Sequence, residues 1–247
     1  MSDINITAIV TAHSESTISG PTMASAEAAI AHAQAAGFTV ERLIGLDTPS
    51  SRCRAYFGSE RFDNWRRIDL ECRDQGKARN MLAEEARGHW LAFLDADDLW
   101  SENWLTEAAR TIRQAEEAGQ KTIVHPELNW VFDRHANILV KVDQDSPFFQ
   151  PHYFYFMNYY DALCMAQRST HLEFPYAGRD MAKGLAFEDL QWNIETIAGG
   201  WCHKIVPDTV IFKRRQLESQ TIRASRRKVV IQDLDAMRID RISDLGS

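Results

Sequence analysis

A chain of 247 residues is long enough for one large α/β domain or two small ones. Its formal net charge of −7 argues against a general nucleic-acid binder, which needs a basic surface. No stretch approaches the roughly 18 consecutive apolar residues of a membrane-spanning helix, and the N-terminal residues 1–5 lack the basic and apolar regions of a signal peptide. The four cysteines have no metal-binding or redox spacing, which predicts reduced thiols in a cytoplasmic protein.

The first half of the chain alternates between β-type and helical segments. Residues 4–12 and 40–46 predict two strands, joined by an alanine-rich helix over 24–36 that ends at Gly37. Residues 66–72 predict a third strand, and residues 78–86 predict a second helix. Because the first two strands both end in polar or acidic loops, this βαβ order predicts a parallel sheet with a site along one edge.

An acidic cluster follows the apolar run 90–94, which predicts a strand covered on both faces. The cluster consists of Asp95, Asp97 and Asp98. Ligands of open α/β sheets bind at the carboxyl ends of strands. Clustered carboxylates repel one another and are stabilised by a hard cation such as Mg²⁺ or Mn²⁺, which also binds substrate phosphates. An isolated acidic cluster is more often a solvated turn, but the position after a buried strand favours a metal site here.

The second half of the chain predicts a longer mixture of strands and helices. Ser101 is the predicted cap of a helix that runs to Ala118, and residues 188–198 predict another helix. Strands are predicted over residues 121–125, 128–132, 138–142, 161–167 and 209–212. The eight aromatic side chains between residues 148 and 160 are interpreted mainly as core residues. The alternative is that some of them form a wall on which a sugar or lipid stacks.

Basic residues concentrate after the last predicted strand, at Lys213, Arg214, Arg215, Arg223, Arg226, Arg227 and Lys228. This run forms either a solvated helix face or a contact with a diphosphate or an anionic membrane surface, and the sequence does not choose between them. Residues 229–245 predict a helical tail that packs on the domain or on a partner.

Four segments, in order, resemble the inverting glycosyltransferases of family 2. They are residues 9–13, residues 43–47, residues 76–100 with the acidic cluster, and residues 187–215, which begin Phe-Glu-Asp. The resemblance covers roughly residues 4–220. Two positions depart from the family pattern: Ala12-His13 stands where many members have proline and asparagine, and Asp47 is a single acid where many members have a pair.

The resemblance implies the GT-A fold, an α/β architecture with a Rossmann-like, mostly parallel central sheet flanked by helices. It implies a glycosyltransferase domain over residues 1–215. Residues 216–247 are then a basic C-terminal extension, for which a helical tail is predicted.

The resemblance also implies roles for individual residues. The implied substrate-binding residues are Thr11, Ala12, His13, Asp47, Arg79, Asp95, Arg214 and Arg215. Asp97, with Asp95 and His203, is an implied ligand of Mg²⁺ or Mn²⁺, although a hydrogen-bonded core histidine is the alternative for His203. Asp189 is the implied catalytic base beside Glu188, and the sequence leaves open which of the two takes the proton. One base suffices for a direct, inverting displacement, while a metal stabilises the leaving diphosphate.

The implied activity is metal-dependent transfer of a sugar from a nucleotide-diphosphate sugar, with UDP-sugars favoured, to a hydroxyl of a glycan or lipid-linked acceptor in bacterial surface polysaccharide synthesis. The implied partners are therefore this donor and acceptor, without nucleic acid, in a cytoplasmic protein for which contact with the inner membrane surface is one option. Two alternatives remain: a domain that binds a nucleotide sugar without turnover, and an enzyme like a sugar nucleotidylyltransferase. The latter class needs a glycine-rich, basic loop after the first strand, and residues 11–16 are neither.

Overall fold

The computed structural model describes residues 4–134, 136–180, 182–215 and 230–246. Within them, the strands are β1 (Ile6–Ala12), β2 (Val40–Asp47), β3 (Arg66–Leu70), β4 (Trp90–Asp95), β5 (Leu99–Trp100), β6 (Thr122–Asp133), β7 (Asn137–Val140), β8 (Met165–Gln167) and β9 (Cys202–Arg215). The α-helices are α1 (Ser19–Ala35), α2 (Ser51–Phe57), α3 (Gln75–Glu85), α4 (Trp104–Glu117), α5 (Arg168–Glu173) and α6 (Glu188–Ala198).

The strands form one sheet in the order β3-β2-β1-β4-β8-β6-β9-β5, with β7 paired to β6. The pairs among β1 to β4 are parallel, as is the long pair of β6 and β9, while β8 joins the two halves by antiparallel pairing. This arrangement confirms the predicted α/β fold with a mostly parallel central sheet.

The order of the first four strands determines where the site lies. The chain moves outward from β1 to β3 and then crosses back to place β4 on the other side of β1. Such a reversal opens a crevice at the carboxyl ends of the strands. In register, Thr11 of β1 lies beside Asp95 of β4, and Ala12 lies beside Leu46 of β2. The polar ends of three strands therefore meet at one edge.

Helices cover both faces of the sheet. On one face α1 packs against α4, where the His32 ring and the Thr106 hydroxyl are 2.7 Å apart. On the other face α3 packs against α5, and Arg168 donates a hydrogen bond to the carbonyl of Ala83. The strands β1 and β4 lie between these layers and are almost wholly buried, as their apolar sequences predict.

Several predicted boundaries need correction. The two strands predicted over 121–125 and 128–132 are one strand, β6, with an irregularity between Pro126 and Leu128. Proline lacks the backbone N–H that a regular ladder needs, which explains the irregularity. The last strand, β9, is also longer than the four residues predicted, because its pairing with β6 continues from Cys202 to Arg215.

The described part of the C-terminal segment, residues 230–246, differs from the predicted helical tail. It contains two short 3-10 helices, Asp235–Met237 and Ile242–Asp244, and no α-helix. Ile242 and Leu245 are buried in a hydrophobic cluster with Ile194 and Ile197 of α6. The part of the basic run at Arg223, Arg226, Arg227 and Lys228 lies outside the described residues. None of the helices in the described ranges is long and apolar enough to cross a membrane.

Candidate active site

The three carboxylates after β4 have different surroundings. Oδ1 of Asp95 accepts hydrogen bonds from Thr11 Oγ1 at 3.0 Å, Gln75 Nε2 at 2.8 Å and Arg79 Nη2 at 2.9 Å. Burial opposes ionisation of Asp95, but the positive charges of Arg79 and Lys213 hold its pKa below the usual value. Asp95 is therefore an ionised carboxylate in a fixed orientation.

Asp98 points into the protein rather than into the crevice. It is 3% exposed, and its Oδ1 accepts a hydrogen bond from the backbone N–H of Arg214 at 2.7 Å. Burial raises the pKa of the Asp98 carboxyl despite the nearby ammonium of Lys213, 3.8 Å from Oδ2. Asp98 thus ties the acidic cluster to β9.

Asp97 is half-buried, like Asp95, and its surroundings suit an external cation. Burial, followed by the charges of Asp95 and Glu15, raises its pKa to about 6. A divalent cation beside this carboxylate would relieve that repulsion. Mg²⁺ is commonly held by one or two carboxylates together with substrate phosphates. The described residues contain no cluster of three or more metal-ligating side chains, so phosphate oxygens would have to complete the coordination at Asp97.

A buried charge network lies beneath the acidic cluster, and sequence reasoning missed it. Asp161 faces two lysines: Lys213 Nζ is 3.3 Å from Oδ2, and Lys141 Nζ is 3.6 Å from Oδ1. Asn129 also donates to Asp161 at 2.7 Å. Burial alone would raise the pKa of Asp161, but the charges of Lys141 and Lys213 hold it well below the usual range. Lys213 therefore links Asp161 to Asp98.

The loops after β1 and β2 form the second wall of the crevice. Oδ1 of Asp47 accepts hydrogen bonds from the backbone N–H groups of Cys72 at 2.7 Å and Arg73 at 3.0 Å. The ring of His13 contacts the Asp47 carbonyl at 2.6 Å, and the backbone N–H of Ser50 donates to the carbonyl of His13. These bonds bring His13 and Asp47 together beside the end of β1.

The opposite wall is the start of α6, where Glu188 and Asp189 lie. Phe187, the residue before this helix, has φ 62° and ψ 50°, a left-handed conformation that bulky side chains rarely adopt. Asp189 Oδ1 accepts a hydrogen bond from the N–H of Leu190, and no cation among the described residues lies within salt-bridge distance of it. Burial, and then the charge of Glu188, raises the pKa of Asp189 to about 6.

Glu188 is held quite differently from its neighbour. It is 7% exposed and forms a bidentate ion pair with Arg179, in which Nε lies 2.8 Å from Oε2 and Nη2 contacts Oε1. Burial opposes ionisation, but the hydrogen bond and charge of Arg179 lower the pKa of Glu188. A carboxylate that is paired and kept ionised in this way is a poor proton acceptor, so the geometry favours Asp189 over Glu188 as a base.

A closed ring of polar contacts joins the two walls. Arg79 Nη2 contacts Asp95, and its Nη1 is 3.9 Å from Glu188. Glu188 pairs with Arg179, Arg179 donates to Gln75 Oε1 at 3.2 Å, and Gln75 donates back to Asp95. Arg79 is 3% exposed, which leaves it little surface for the predicted direct contact with a nucleotide. The structure instead gives Arg79 the role of orienting Asp95 and Glu188.

His203 does not join the acidic cluster. It is fully buried in β9, where its Nδ1 is 2.9 Å from His125 Nε2 and its Nε2 is 2.9 Å from Thr196 Oγ1. Burial lowers the pKa of His203 to about 3, so it is a neutral core side chain. With both ring nitrogens engaged, His203 cannot ligate a metal, and the prediction of a metal role is wrong for this geometry.

Arg214 and Arg215 lie at the end of β9, next to the acidic cluster through Asp98. The side chain of Arg214 is engaged by Asp133, with Nε 2.8 Å from Oδ2. Arg215 lies beside Asp133 in the parallel register of β6 and β9. The charge of Arg214 acts on Asp97, but Arg214 would have to leave Asp133 to reach a bound phosphate.

Comparisons with known proteins agree with this fold. The sequence model described as "Glycosyl transferase family 2" matches residues 49–173, about half of the chain. No curated protein sequence matches the chain. Among solved structures, S. aureus TarS 1-349 in complex with UDP-GlcNAc has a TM-score of 0.62 at 12% identity, over 89% of this chain and 61% of that one. S. aureus TarS 1-349 in complex with UDP has a TM-score of 0.60 at 13% identity, over 86% of this chain and 61% of that one.

The comparisons establish both a fold class and a family for this chain. The described residues have the GT-A fold of glycosyltransferases. The chain belongs to glycosyl transferase family 2. It spans about three fifths of the length of the TarS 1-349 structures. The family match ends before α6, so the wall that carries Glu188 and Asp189 lies outside it.

Proposed function

We propose that this protein transfers a sugar from a nucleotide-diphosphate sugar to a hydroxyl group of an acceptor, with Asp189 as the base and the end of β4 as the donor side. The proposal rests on the different pairing of three carboxylates. The polar ring fixes Asp95 and Glu188 as ionised, paired carboxylates, while the neighbouring Asp189 forms no salt bridge within the described residues and keeps a raised pKa. Asp189 therefore remains basic enough to deprotonate a hydroxyl.

A UDP-sugar is the favoured donor. Two TarS structures of the same fold hold UDP-GlcNAc and UDP. The wall formed by Thr11, Ala12, His13 and Asp47 is the proposed nucleotide side, since it lies at the carboxyl ends of β1 and β2. A glycan or lipid-linked hydroxyl in bacterial surface polysaccharide synthesis is the proposed acceptor, and peripheral contact with a membrane is part of that proposal.

A divalent cation is the proposed cofactor. Asp97, with the second oxygen of Asp95, would hold Mg²⁺ or Mn²⁺. When bound, the cation would neutralise the charge that develops on the leaving diphosphate. Around it, Lys213 keeps Asp98 and Asp161 in place, and Arg79 keeps Asp95 oriented.

The test is a panel of UDP-sugars, including UDP-GlcNAc, incubated with the protein and Mn²⁺ while release of UDP is measured. Water serves as the acceptor in this assay, so the natural acceptor is not needed. We expect one or more donors to be hydrolysed slowly and Asp189→Asn to slow that hydrolysis by about 10²–10⁴-fold. Asp69→Asn, at an exposed aspartate paired with Arg54, is the matched control and should hydrolyse the donor like the wild type. Unchanged hydrolysis in Asp189→Asn would contradict the proposal.

A further inference from the structure

The C-terminal segment 230–246, which lies beyond the family match, returns to the start of α6. The backbone N–H of Val230 donates to the carbonyl of Gly184 at 2.8 Å, and the N–H of Ala186 donates to the carbonyl of Val230 at 3.0 Å. Leu185 and Val230 form a parallel β-bridge. This short ladder fixes the backbone immediately before the helix that carries Glu188 and Asp189.

The ladder holds a residue that needs support. Phe187 has a left-handed backbone, which a bulky residue adopts only when its surroundings enforce it. On its N-terminal side Ala186 is hydrogen-bonded to Val230, and on its C-terminal side Glu188 is paired with Arg179. Phe187 is therefore held between the C-terminal segment and the polar ring of the site.

The same segment makes a second contact one turn into α6. The N–H of Gln232 donates to Oε1 of Gln191 at 3.4 Å, and Gln191 is 4% exposed. Ile231 and Leu234 pack in the same hydrophobic cluster as Leu190, the residue that follows Asp189. Residues 230–234 therefore contact the chain on both sides of Asp189, at Ala186 before it and at Leu190 and Gln191 after it.

Contacts farther along the segment dock it firmly on the domain. Tyr155 donates a hydrogen bond from its hydroxyl to the carbonyl of Met237 at 2.7 Å. Ile242 and Leu245 are buried against α6 and the aromatic residues Phe149, Phe154 and Tyr160. Residues 230–234 are therefore held at both ends, by the ladder at Val230 and by the packing that follows.

We propose that residues 230–234 are a positioning segment for the catalytic base, in which Val230 and Gln232 hold the turn at Phe187 and thereby orient Asp189. This inference rests on the proposed function, because it assigns the segment to the base of that reaction. It predicts that loosening the segment slows the chemical step and leaves donor binding intact, since the donor side lies at β1, β2 and β4. A segment with a purely structural role would weaken both steps or neither.

The first test removes a single hydrogen-bond donor. Val230→Pro lacks the N–H that bonds to Gly184, while Val230→Ala keeps it and is the matched control, because the Val230 side chain is 62% exposed. Displacing a reacting group by a fraction of an ångström is costly, so we expect Val230→Pro to hydrolyse the donor selected in the panel about 10- to 100-fold more slowly than Val230→Ala. The affinity for UDP with Mn²⁺, measured by calorimetry, should be the same in both variants. Equal hydrolysis by the two variants would overturn the inference.

A second pair of variants keeps the inference testable if Val230→Pro does not fold. Gln191→Met removes the acceptor for Gln232 but also the hydrogen bond from Gln191 to Glu195. Glu195→Met removes only the latter and is its control. We expect Gln191→Met alone to slow hydrolysis with unchanged UDP affinity, and to speed hydrogen exchange at the amides of residues 188–191. Equal exchange and equal hydrolysis in the pair would overturn the inference.

These outcomes separate the inference from the proposed function. If Asp189→Asn hydrolyses the donor like the wild type, the proposed function fails. If Asp189→Asn is inactive while Val230→Pro and Gln191→Met keep full hydrolysis, only the positioning role of the segment fails.

Discussion

Asp97 and Asp189 each have a pKa raised to about 6, first by burial and then by a neighbouring carboxylate, yet they serve different roles in the proposed reaction. Asp97 lies beside Asp95 in the acidic cluster, where a cation and a diphosphate would be held. Asp189 lies at the start of α6, away from that cluster along the chain and next to Glu188 of the polar ring. A carboxylate that holds a metal cannot also act as an efficient proton acceptor, so the division of roles follows from position.

Asp97→Asn should abolish the dependence of nucleotide binding on metal while the fold survives. The amide retains the shape of the carboxylate but loses the charge that attracts a hard cation. We expect calorimetry of UDP with Mn²⁺ to show at least about tenfold weaker binding in the variant, approaching the affinity measured without metal. Asp69→Asn is the control. Equal Mn²⁺-dependent affinity in Asp97→Asn and wild type would exclude Asp97 as a ligand.

The raised pKa of Asp189 determines the pH below which the rate of donor hydrolysis falls. A base must be deprotonated to accept a proton, and Asp189 becomes protonated as the pH falls through its pKa of about 6. Donor hydrolysis should therefore be constant above that pH and fall about tenfold per pH unit below it. A rate that stays constant well below the pKa would mean that another group takes the proton.

Asp189→Asn and Glu188→Gln should fail in different ways. Because the folded pKa of Asp189 is raised, its ionised form is disfavoured by folding, so the neutral asparagine should not lower the melting temperature. Glu188→Gln leaves Arg179 without its buried counter-charge, although Arg79 keeps Asp95, and should lower the free energy of unfolding by about 3 kcal/mol. Thermal unfolding of both variants, beside the hydrolysis assay, distinguishes them. A stable, inactive Glu188→Gln with an active Asp189→Asn would move the base to Glu188.

Helices α5 and α6 pack against each other through aromatic rings. The rings of His171 in α5, Trp192 in α6 and Tyr176 are mutual neighbours, with centroids 5.0 Å apart for His171 and Trp192, 5.9 Å for His171 and Tyr176, and 5.2 Å for Tyr176 and Trp192. Its ring nitrogens have no hydrogen-bond partner among the described residues. Burial, and then the charge of Arg79, lowers the pKa of His171 to about 3, so the ring is neutral in the folded protein.

His171→Phe should stabilise the protein and make it less sensitive to acid. Phenylalanine preserves the stack and buries no unpaired nitrogen, for an expected gain of about 1 kcal/mol in the free energy of unfolding. The folded pKa lies below the unfolded value of about 6.5, so the unfolded state takes up the proton first and stability is lost as the pH falls below that value. The wild type should lose about 1.4 kcal/mol more than the variant between about pH 7 and about pH 5.5.

Urea unfolding at the two pH values measures this difference. His152→Phe, at an exposed histidine in a short 3-10 helix, is the control and should leave the pH dependence unchanged. An identical pH dependence in His171→Phe and wild type would show that His171 is not neutral in the folded state.

The elements that the sequence predicted well are those with strong local patterns. The apolar run before Asp95 predicted a buried strand, and the pattern over 188–198 predicted α6 with the same bounds that the structure shows. The contacts that were missed join residues far apart in the sequence. Arg179 contacts Gln75 across 104 positions, and Asp98 contacts Arg214 across 116. No local pattern marks such pairs, so the polar ring could not be deduced from the sequence.

For His203, by contrast, a local pattern suggested a role that the structure does not support. Its position after a glycine pair resembled the family pattern and suggested a metal ligand, but β9 places it inside the sheet against His125. A histidine in a strand is buried when another layer packs on the face to which its side chain points. Here α6 places Thr196 against His203, a tertiary contact that local sequence does not determine.

In the whole molecule, the donor and acceptor sides of the proposed reaction lie on different parts of the fold. The donor side is built by β1, β2 and β4, which are parallel and adjacent. The acceptor side is carried by α6, which packs with residues 230–246. The polar ring from Asp95 through Arg79 to Glu188 spans the two, so the base is fixed relative to the donor before any acceptor arrives.

This division predicts that the sugar is transferred with inversion. A base on the acceptor side activates a hydroxyl or a water on the face opposite to the diphosphate, and a direct displacement needs no protein nucleophile. An α-linked UDP-sugar should therefore release the β-anomer first, and proton NMR at early times, before the free sugar equilibrates, identifies it by the coupling of its anomeric proton. The Asp189→Asn protein, incubated in parallel, measures the background from uncatalysed breakdown. Release of the α-anomer first would contradict a direct displacement with inversion, and with it the role of Asp189 as a base on the face opposite to the diphosphate.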